Sequence, residues 1–285
     1  GVQLLLSVQN VAVDNIGETL KSMDYGEGMV YNMKSEAVLD RHNPKPFDFF
    51  DLMDEKELNA WRRKKDADVV KMLSESRKEY EEMISPKIFL STVHMVLGKM
   101  LSSKPTPTEL ECVKRIVIDE ASLLPEAALY AIIRRFPEAR IFLIGDDKQL
   151  PPFMYDEKIL GHELAGRPAL NVAMKTGRVP VVELNEVYRA PPSMVAPYNR
   201  LAYGGKLVSK QAEGATPLSD IGLVVPGSPQ LLFIDVKGEQ KWYKYTRSCY
   251  NDQEFRTVQR LLKNFPSDWK DEIMIICLYK EQMRR

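Results

Sequence analysis

The chain has 285 residues, 44% of them hydrophobic, a size that allows one large or two smaller domains with real cores. Its 40 Lys and Arg balance 40 Asp and Glu, which excludes bulk electrostatic attraction to nucleic acid and leaves local grooves as the source of any such binding. Three widely spaced cysteines (Cys112, Cys249, Cys277) and three scattered histidines (His42, His94, His162) give no zinc-ligand spacing.

An odd set of isolated thiols suits a reduced intracellular compartment, cytoplasmic or nuclear. No apolar run is long enough to cross a bilayer, so no membrane partner is expected. Val2–Ser7 predicts a buried strand, and Val11–Ser22 a helix with Val13, Ile16 and Leu20 on one face. From Tyr25 to Ser85 the pattern changes. Leu52, Leu58, Trp61, Val69, Met72, Leu73, Tyr80 and Met83 recur at roughly helical spacing, and Lys64/Asp68, Lys71/Glu75, Arg77/Glu81 and Lys78/Glu82 are i,i+4 pairs. One or two charged amphipathic helices are expected there, inserted between core strands, with the charges on a solvated face. Ile88–Thr92 is the next buried strand, His94 a helix residue after it, and Pro105-Thr-Pro107 a loop.

Two stretches then match one another. Arg115–Ser122 (Arg-Ile-Val-Ile-Asp-Glu-Ala-Ser) and the segment from Ile141 to Pro152 each run from an apolar strand into acidic residues. Ile116–Ile118 is β-branched throughout, as in a strand buried on both faces, and Ile141–Ile144 repeats the pattern. Pro125–Phe136 lies between them, with Leu129, Ile132, Ile133 and Phe136 at helical spacing. Strand, helix, strand with acids at the strand ends describes an open α/β sheet, whose ligands bind at the carboxyl ends of the strands. Asp119 can there hold Mg²⁺ beside nucleotide phosphates, and Glu120 can orient or deprotonate a water. Gln149, neutral and both donor and acceptor, can sense a terminal phosphate without competing for the metal. An isolated Asp-Glu pair is more often a turn cap; two matched strand ends reverse that preference.

Val181–Leu184 reads as a fifth buried strand. Glu183–Leu207 follows with Glu-Leu-Asn-Glu-Val-Tyr-Arg-Ala-Pro-Pro and then Pro197-Tyr-Asn-Arg-Leu-Ala-Tyr-Gly-Gly-Lys-Leu207. Val208–Gln230 is loop-like in composition, and Leu231–Val236 is a strand. Lys241–Arg247 (Lys-Trp-Tyr-Lys-Tyr-Thr-Arg) interleaves basic and aromatic residues, the composition of a single-strand stacking platform, on what is expected to be an exposed hairpin or loop. Asn251–Lys263 predicts a helix with Phe255, Val258 and Leu262 inward. Ile273–Cys277 predicts a buried strand leading into Leu278-Tyr279-Lys-Glu-Gln282.

Ile118-Asp-Glu-Ala-Ser122 followed by Gly145-Asp-Asp-Lys-Gln-Leu-Pro-Pro152 resembles motifs II and III of superfamily 1 helicases. The branch is that of the nonsense-mediated-decay helicase and its relatives, which move 5′ to 3′ on RNA or DNA. Asn10-Val-Ala-Val-Asp-Asn15 is similar to motif Ia, although Val8-Gln9-Asn10 stands where the family has Pro-Ser-Asn or Thr-Ser-Asn. Asn10 can serve as a helix cap or present polar groups to a nucleic-acid phosphate. Ser91-Thr92 is similar to motif Ic, whose Thr contacts the nucleic-acid backbone. Tyr188-Arg189 resembles the family's Tyr-Arg motif, with Tyr188 able to stack on adenine and Arg189 to supply fixed charge to the γ-phosphate. Tyr279 and Gln282 are in register with motif IV, without its Pro, and Asn251-x-x-Glu254 matches a family helix.

The resemblance implies a RecA-like P-loop NTPase fold, an α/β architecture with a parallel sheet flanked by helices. Residues 1–180 would form a first RecA-like domain with a helical insertion at about 25–85, and residues 181–285 the start of an incomplete second one. It implies ATP and Mg²⁺ as cofactors and single-stranded RNA or DNA as partner, with ribonucleoprotein partners and a monomeric state. Asp119, Glu120, Gln149 and Arg189 are the catalytic expectations, with Asp119 also holding the metal. Tyr188, Gly145 and Asp146 are expected at the nucleotide, and Asn10, Thr92, Pro151 and Tyr279 at the nucleic acid. The sequence contains no Gly-x-x-x-x-Gly-Lys-Ser/Thr phosphate loop and no motif V or VI. The expectation is therefore an internal piece of an ATP-dependent helicase or translocase, nearly inert by itself. The alternatives are a ribonucleoprotein remodeller that does not unwind, a non-catalytic nucleic-acid-binding or scaffold protein, and an unrelated nucleotide-binding enzyme on a similar fold.

Overall fold

The structure, a computed structural model, describes residues 1–25, 29–34, 56, 75, 86–101, 113–153, 161, 166–212, 217–225, 231–269 and 273–285. Most of the expected insertion, with the positions named between Leu52 and Met83, lies outside the described residues, as do His42, the Pro105-Thr-Pro107 loop, Cys112 and His162. Lys56 and Glu75, the positions described inside that stretch, are helical. The chain divides into two compact units, Gly1–Val182 and Glu183–Arg285.

In the first unit five strands run parallel: Val2–Ser7 (β1), Val30–Met33 (β2), Ile88–Thr92 (β3), Val113–Asp119 (β4) and Arg140–Leu143 (β5). Their order is β2-β3-β1-β4-β5. Helices Asn10–Ser22 (α1), Val93–Leu101 (α2), Glu126–Arg135 (α3) and Ala169–Lys175 (α4) connect and cover them. Side chains alternate along a strand, so the sheet feeds two cores. Leu4, Leu6, Phe89, Ile116 and Ile118 pack with Val96 of α2, Ile132 of α3 and Leu170 of α4. Ile88, Leu90 and Val30 turn the other way, onto Val13, Ile16 and Leu20 of α1, the face the spacing predicts. A parallel sheet covered on both faces is the α/β arrangement expected of the sequence. Lys34, just past β2, reaches Asp14 of α1 at 2.6 Å with both side chains almost fully buried.

Several expectations change. Val30–Met33, within the stretch assigned to the insertion, is a strand with all four residues buried. Val181–Leu184, expected to be the fifth strand, joins no ladder, and Val182 is 82% exposed; Pro180 just before it has no N–H to offer a neighbour. Ile141–Ile144 does carry a strand, but β5 has a single described neighbour, so Phe142 and Ile144 are half exposed instead of buried on both faces. On α3, Ile132 is buried while Ile133 is largely exposed, because Leu129, Ile132 and Phe136 occupy the inward stripe.

The second unit is built from smaller pieces. Glu186–Val187 (β6) pairs in parallel with Val208–Ser209 (β7), with Pro192–Ala202 (α5) between them in sequence. Pro217–Asp220 (α6) is a single turn. Lys241–Tyr243 (β8) and Ser248–Tyr250 (β9) form an antiparallel hairpin, followed by Asp252–Leu262 (α7) and finally Lys280–Arg284 (α8). Phe255, Val258 and Leu262 of α7 are half-buried. The strands expected at Leu231–Val236 and Ile273–Cys277 are absent from the ladders, and Phe233, Met274 and Ile276 are exposed. Apolar runs of this length carry no information about whether a partner strand is at hand.

Candidate functional site

Register brings the first group of expected residues to one edge. Thr92, Ser7 and Asp119 are aligned across β3, β1 and β4. The segment beginning at Gly145 leaves β5 at the same level, since Ile118 pairs with Leu143. Asn10 begins α1 just beyond β1. Asn10, Thr92, Asp119, Glu120, Gly145, Asp146, Gln149 and Pro151 therefore all follow the carboxyl ends of one sheet, where open α/β folds bind their ligands.

The chain turns sharply at Asp119. Glu120 adopts a left-handed conformation, φ 54° and ψ 39°, which costs a residue with a Cβ about 1–2 kcal/mol. Two hydrogen bonds hold it: Glu120 N–H donates to Asp119 Oδ1 at 2.9 Å, and Ala121 N–H to the Ile144 carbonyl at 2.8 Å. Gly145 presses against the same turn. A Cβ there would lie 3.0 Å from the backbone nitrogens of Ala121 and Ser122, and 3.2 Å from Leu170 Cδ2. Gly145, expected at the nucleotide, is thus also a close-packing position that brings one loop onto the other.

Asp146 organises the loop that follows. Its Oδ1 accepts from Lys148 N–H at 3.0 Å and its Oδ2 from Gln149 Nε2 at 3.1 Å, so the exposed Gln149 amide is held by its own turn. Lys148 pairs with Asp147 at 2.9 Å, a hydrogen bond that raises its pKa. Thr92 Oγ1 accepts from Met95 N–H at 3.2 Å and so caps α2. Asn10 is exposed in the first turn of α1, and the cap position belongs to Gln9, which makes no side-chain cap bond. Pro151 is exposed and Pro152 buried. His94 is exposed on α2. Mg²⁺ takes one or two carboxylates and fills its shell with water and phosphate oxygens. Asp119, half-buried with one oxygen occupied by Glu120 N–H, fits that demand. Among the described residues no group of three or more His, Cys, Asp or Glu is gathered to hold a metal by protein alone.

In the second unit Tyr188 and Arg189 are both exposed. The Tyr188 hydroxyl donates to Glu186 Oε2 at 2.5 Å, and Lys210 pairs with the other oxygen of Glu186 at 2.8 Å. Gln211 Nε2 donates to the Tyr188 carbonyl, and Ser209 Oγ to the Ala190 carbonyl at 2.7 Å. The Lys210 and Tyr188 hydrogen bonds hold the Glu186 carboxyl below its ordinary pKa, while Glu186 raises both the Tyr188 phenol and the Lys210 ammonium. Asn199 of α5 clamps Leu207 through both its amide atoms, and Gly204 and Gly205 take φ of 59° and 79° to make the turn between them. Sequence reasoning passed over Ser7, Glu186, Asn199, Lys210 and Gln211. Glu186 alone carried a local signal, two residues before Tyr188, the spacing that puts side chains on one side of extended chain.

Tyr279 caps α8 by position and is half exposed. Gln282 accepts from Asn251 N–H at 2.7 Å, while Asn251 Oδ1 accepts from Gln253 and Glu254 N–H and its Nδ2 donates to Glu254. The Asn251-x-x-Glu254 pattern is thus a helix cap, and Gln282 ties α8 to it. Cys249 is buried and Cys277 half-buried, both as free thiols.

Two protein-family models, each described as an AAA domain, match residues 48–157 and 166–285. The mouse 5′-3′ DNA helicase ZGRF1 is 29% identical over 170 residues, 59% of this chain and 9% of that protein. An uncharacterized ATP-dependent helicase of Caenorhabditis elegans is 35% identical over 193 residues, 64% of this chain and 12% of the other. The ATP-dependent RecD2 DNA helicase of Deinococcus radiodurans is 31% identical over 106 residues, 35% of this chain and 12% of that one. The chain thus spans about a tenth of the length of the curated relatives it matches. With motifs II and III on adjacent strand ends of a parallel sheet, the chain belongs to the superfamily 1 helicases, in the branch of the nonsense-mediated-decay helicase.

Proposed function

We propose that the protein is an ATP-dependent helicase or translocase that couples ATP hydrolysis to movement on single-stranded nucleic acid. The observation that carries this reading is the joined edge of β4 and β5. There Asp119, Glu120 and the Gly145–Gln149 loop are fastened to each other through Ala121 N–H and the Ile144 carbonyl. Asp119 holds Mg²⁺, which when bound neutralises charge on the phosphates. Glu120 orients the attacking water and accepts its proton. Gln149, preset by Asp146, reads the terminal phosphate. Arg189 supplies fixed positive charge to the γ-phosphate and Tyr188 a plane for the adenine. Asn10, Thr92 and Pro151 in the first unit, and Tyr279 in the second, are each assigned to the nucleic acid. Single-stranded DNA is the first track to test, since two of the relatives are DNA helicases.

Glu120→Gln in the intact protein tests the assignment. The variant is expected to bind ATP normally and to lose about 10²-fold or more in turnover, as measured by phosphate release. Turnover equal to the parent protein would remove Glu120 from this role.

A further inference from the structure

We propose that the β8–β9 hairpin is a separate contact for single-stranded nucleic acid, a stacking platform built on Trp242 and Tyr245 with Lys244 and Arg247 beside them. It rests on the motor reading only for the identity of its ligand. Trp242 is 64% and Tyr245 76% exposed. The hairpin itself is fastened down. Lys241 pairs with Asp252 at 2.9 Å, Thr246 Oγ1 donates to Glu281 at 2.9 Å, and Glu281 N–H donates to Ser248 Oγ at 3.2 Å. Gln240 Nε2 lies 2.9 Å from Cys249 Sγ, and the Arg285 guanidinium covers the Tyr250 ring at 3.6 Å. These anchors run to α7 and α8 and leave the two rings in water. Tyr243 props Tyr245 at a centroid distance of 5.4 Å, and the Lys244 ammonium sits 5.0 Å from the Tyr245 ring.

Charge selects the occupant. Gln240 to Tyr250 contains three cations and no carboxylate. Lys241 is neutralised by Asp252, whereas among the described residues Lys244 and Arg247 are in no ion pair. A protein partner could use exposed aromatic rings as anchors too. Rings alternating with unpaired cations instead match a chain whose planar bases alternate with phosphates, and stacking accepts every base. The predicted ligand is therefore single-stranded DNA or RNA bound with little sequence preference.

The test measures fluorescence anisotropy of labelled oligothymidine and oligouridine with the intact protein. Trp242→Ala and Tyr245→Ala should each weaken binding about fivefold or more, with an unchanged thermal midpoint, and Trp242→Phe should restore most of the loss. Lys244→Gln and Arg247→Gln should each lower the salt slope by about 0.7. Normal oligonucleotide affinity in the Trp242→Ala/Tyr245→Ala double variant would overturn the platform while leaving the motor untouched. So would a double variant that binds oligonucleotide normally yet loses a protein partner. Weakened binding by the ring variants of a protein without ATP turnover would support the platform and overturn the motor.

Discussion

Glu120 shows how a sequence can single out a candidate catalytic acid and stay silent about its geometry. The acid stands out in the sequence; its left-handed backbone does not, because any L residue disfavours it and only the surrounding hydrogen bonds explain it. Gly145 supplies the missing half, since a side chain there strikes backbone nitrogen on the Glu120 turn. Gly145→Ala is expected to lower kcat for ATP by about tenfold to a hundredfold with KM nearly unchanged, as misplacing a catalytic group does. Adding Leu170→Ala should not restore it, because the obstruction is backbone. Rescue by Leu170→Ala would make this an ordinary packing site. Glu186 acts on Tyr188 in a different way. Its depressed carboxyl pKa means the tether is complete above the ordinary carboxylate range and is lost as pH falls through the folded value. The raised Tyr188 and Lys210 values carry the opposite sign, with their contribution lost as pH rises through them. ATP KM should therefore be flat through neutral pH. Glu186→Gln should raise it about threefold with little change in kcat, a shift of the size one hydrogen bond supplies. A parent KM that bends between pH 6 and 8 would argue against the tether.

At the scale of elements, β4 is the strand on which the sheet and the site both depend. Ile118 is fully buried between neighbours on both sides, whereas Phe142 lies on the outermost of the described strands and is half exposed. Ile118→Ala should cost about 2–5 kcal/mol of stability and Phe142→Ala less than about 1 kcal/mol, measured by urea unfolding. Equal losses would contradict the observed strand order. The sequence made β4 legible because three β-branched residues end at two acids, a pattern few other structures permit. It hid β2, since Val-Tyr-Asn-Met is short, interrupted by a polar residue and adjacent to a highly charged stretch. It overstated Val181–Leu184, Leu231–Val236 and Ile273–Cys277, because an apolar run states a wish for burial and says nothing of which chain will grant it. The hairpin at 241–250 was readable as exposed, but the cross-links that immobilise it come from α7 and α8, far along the chain.

Across the whole molecule, the balanced charge of these 285 residues means that any nucleic-acid binding must come from local charge. No helix among the described residues is long and apolar enough to cross a membrane. The sheet of the first unit has one more property with practical weight. Among the described residues its outer strand, β5, is paired on one side alone, with Phe142 and Ile144 half exposed, and such a border recruits other extended chains. Preparations of these 285 residues should therefore self-associate as concentration rises, through growth of the sheet between molecules. Phe142→Lys, a gatekeeper charge placed on that border, should suppress the light scattering without unfolding the protein. Scattering that persists unchanged in the variant would place the sticky surface elsewhere.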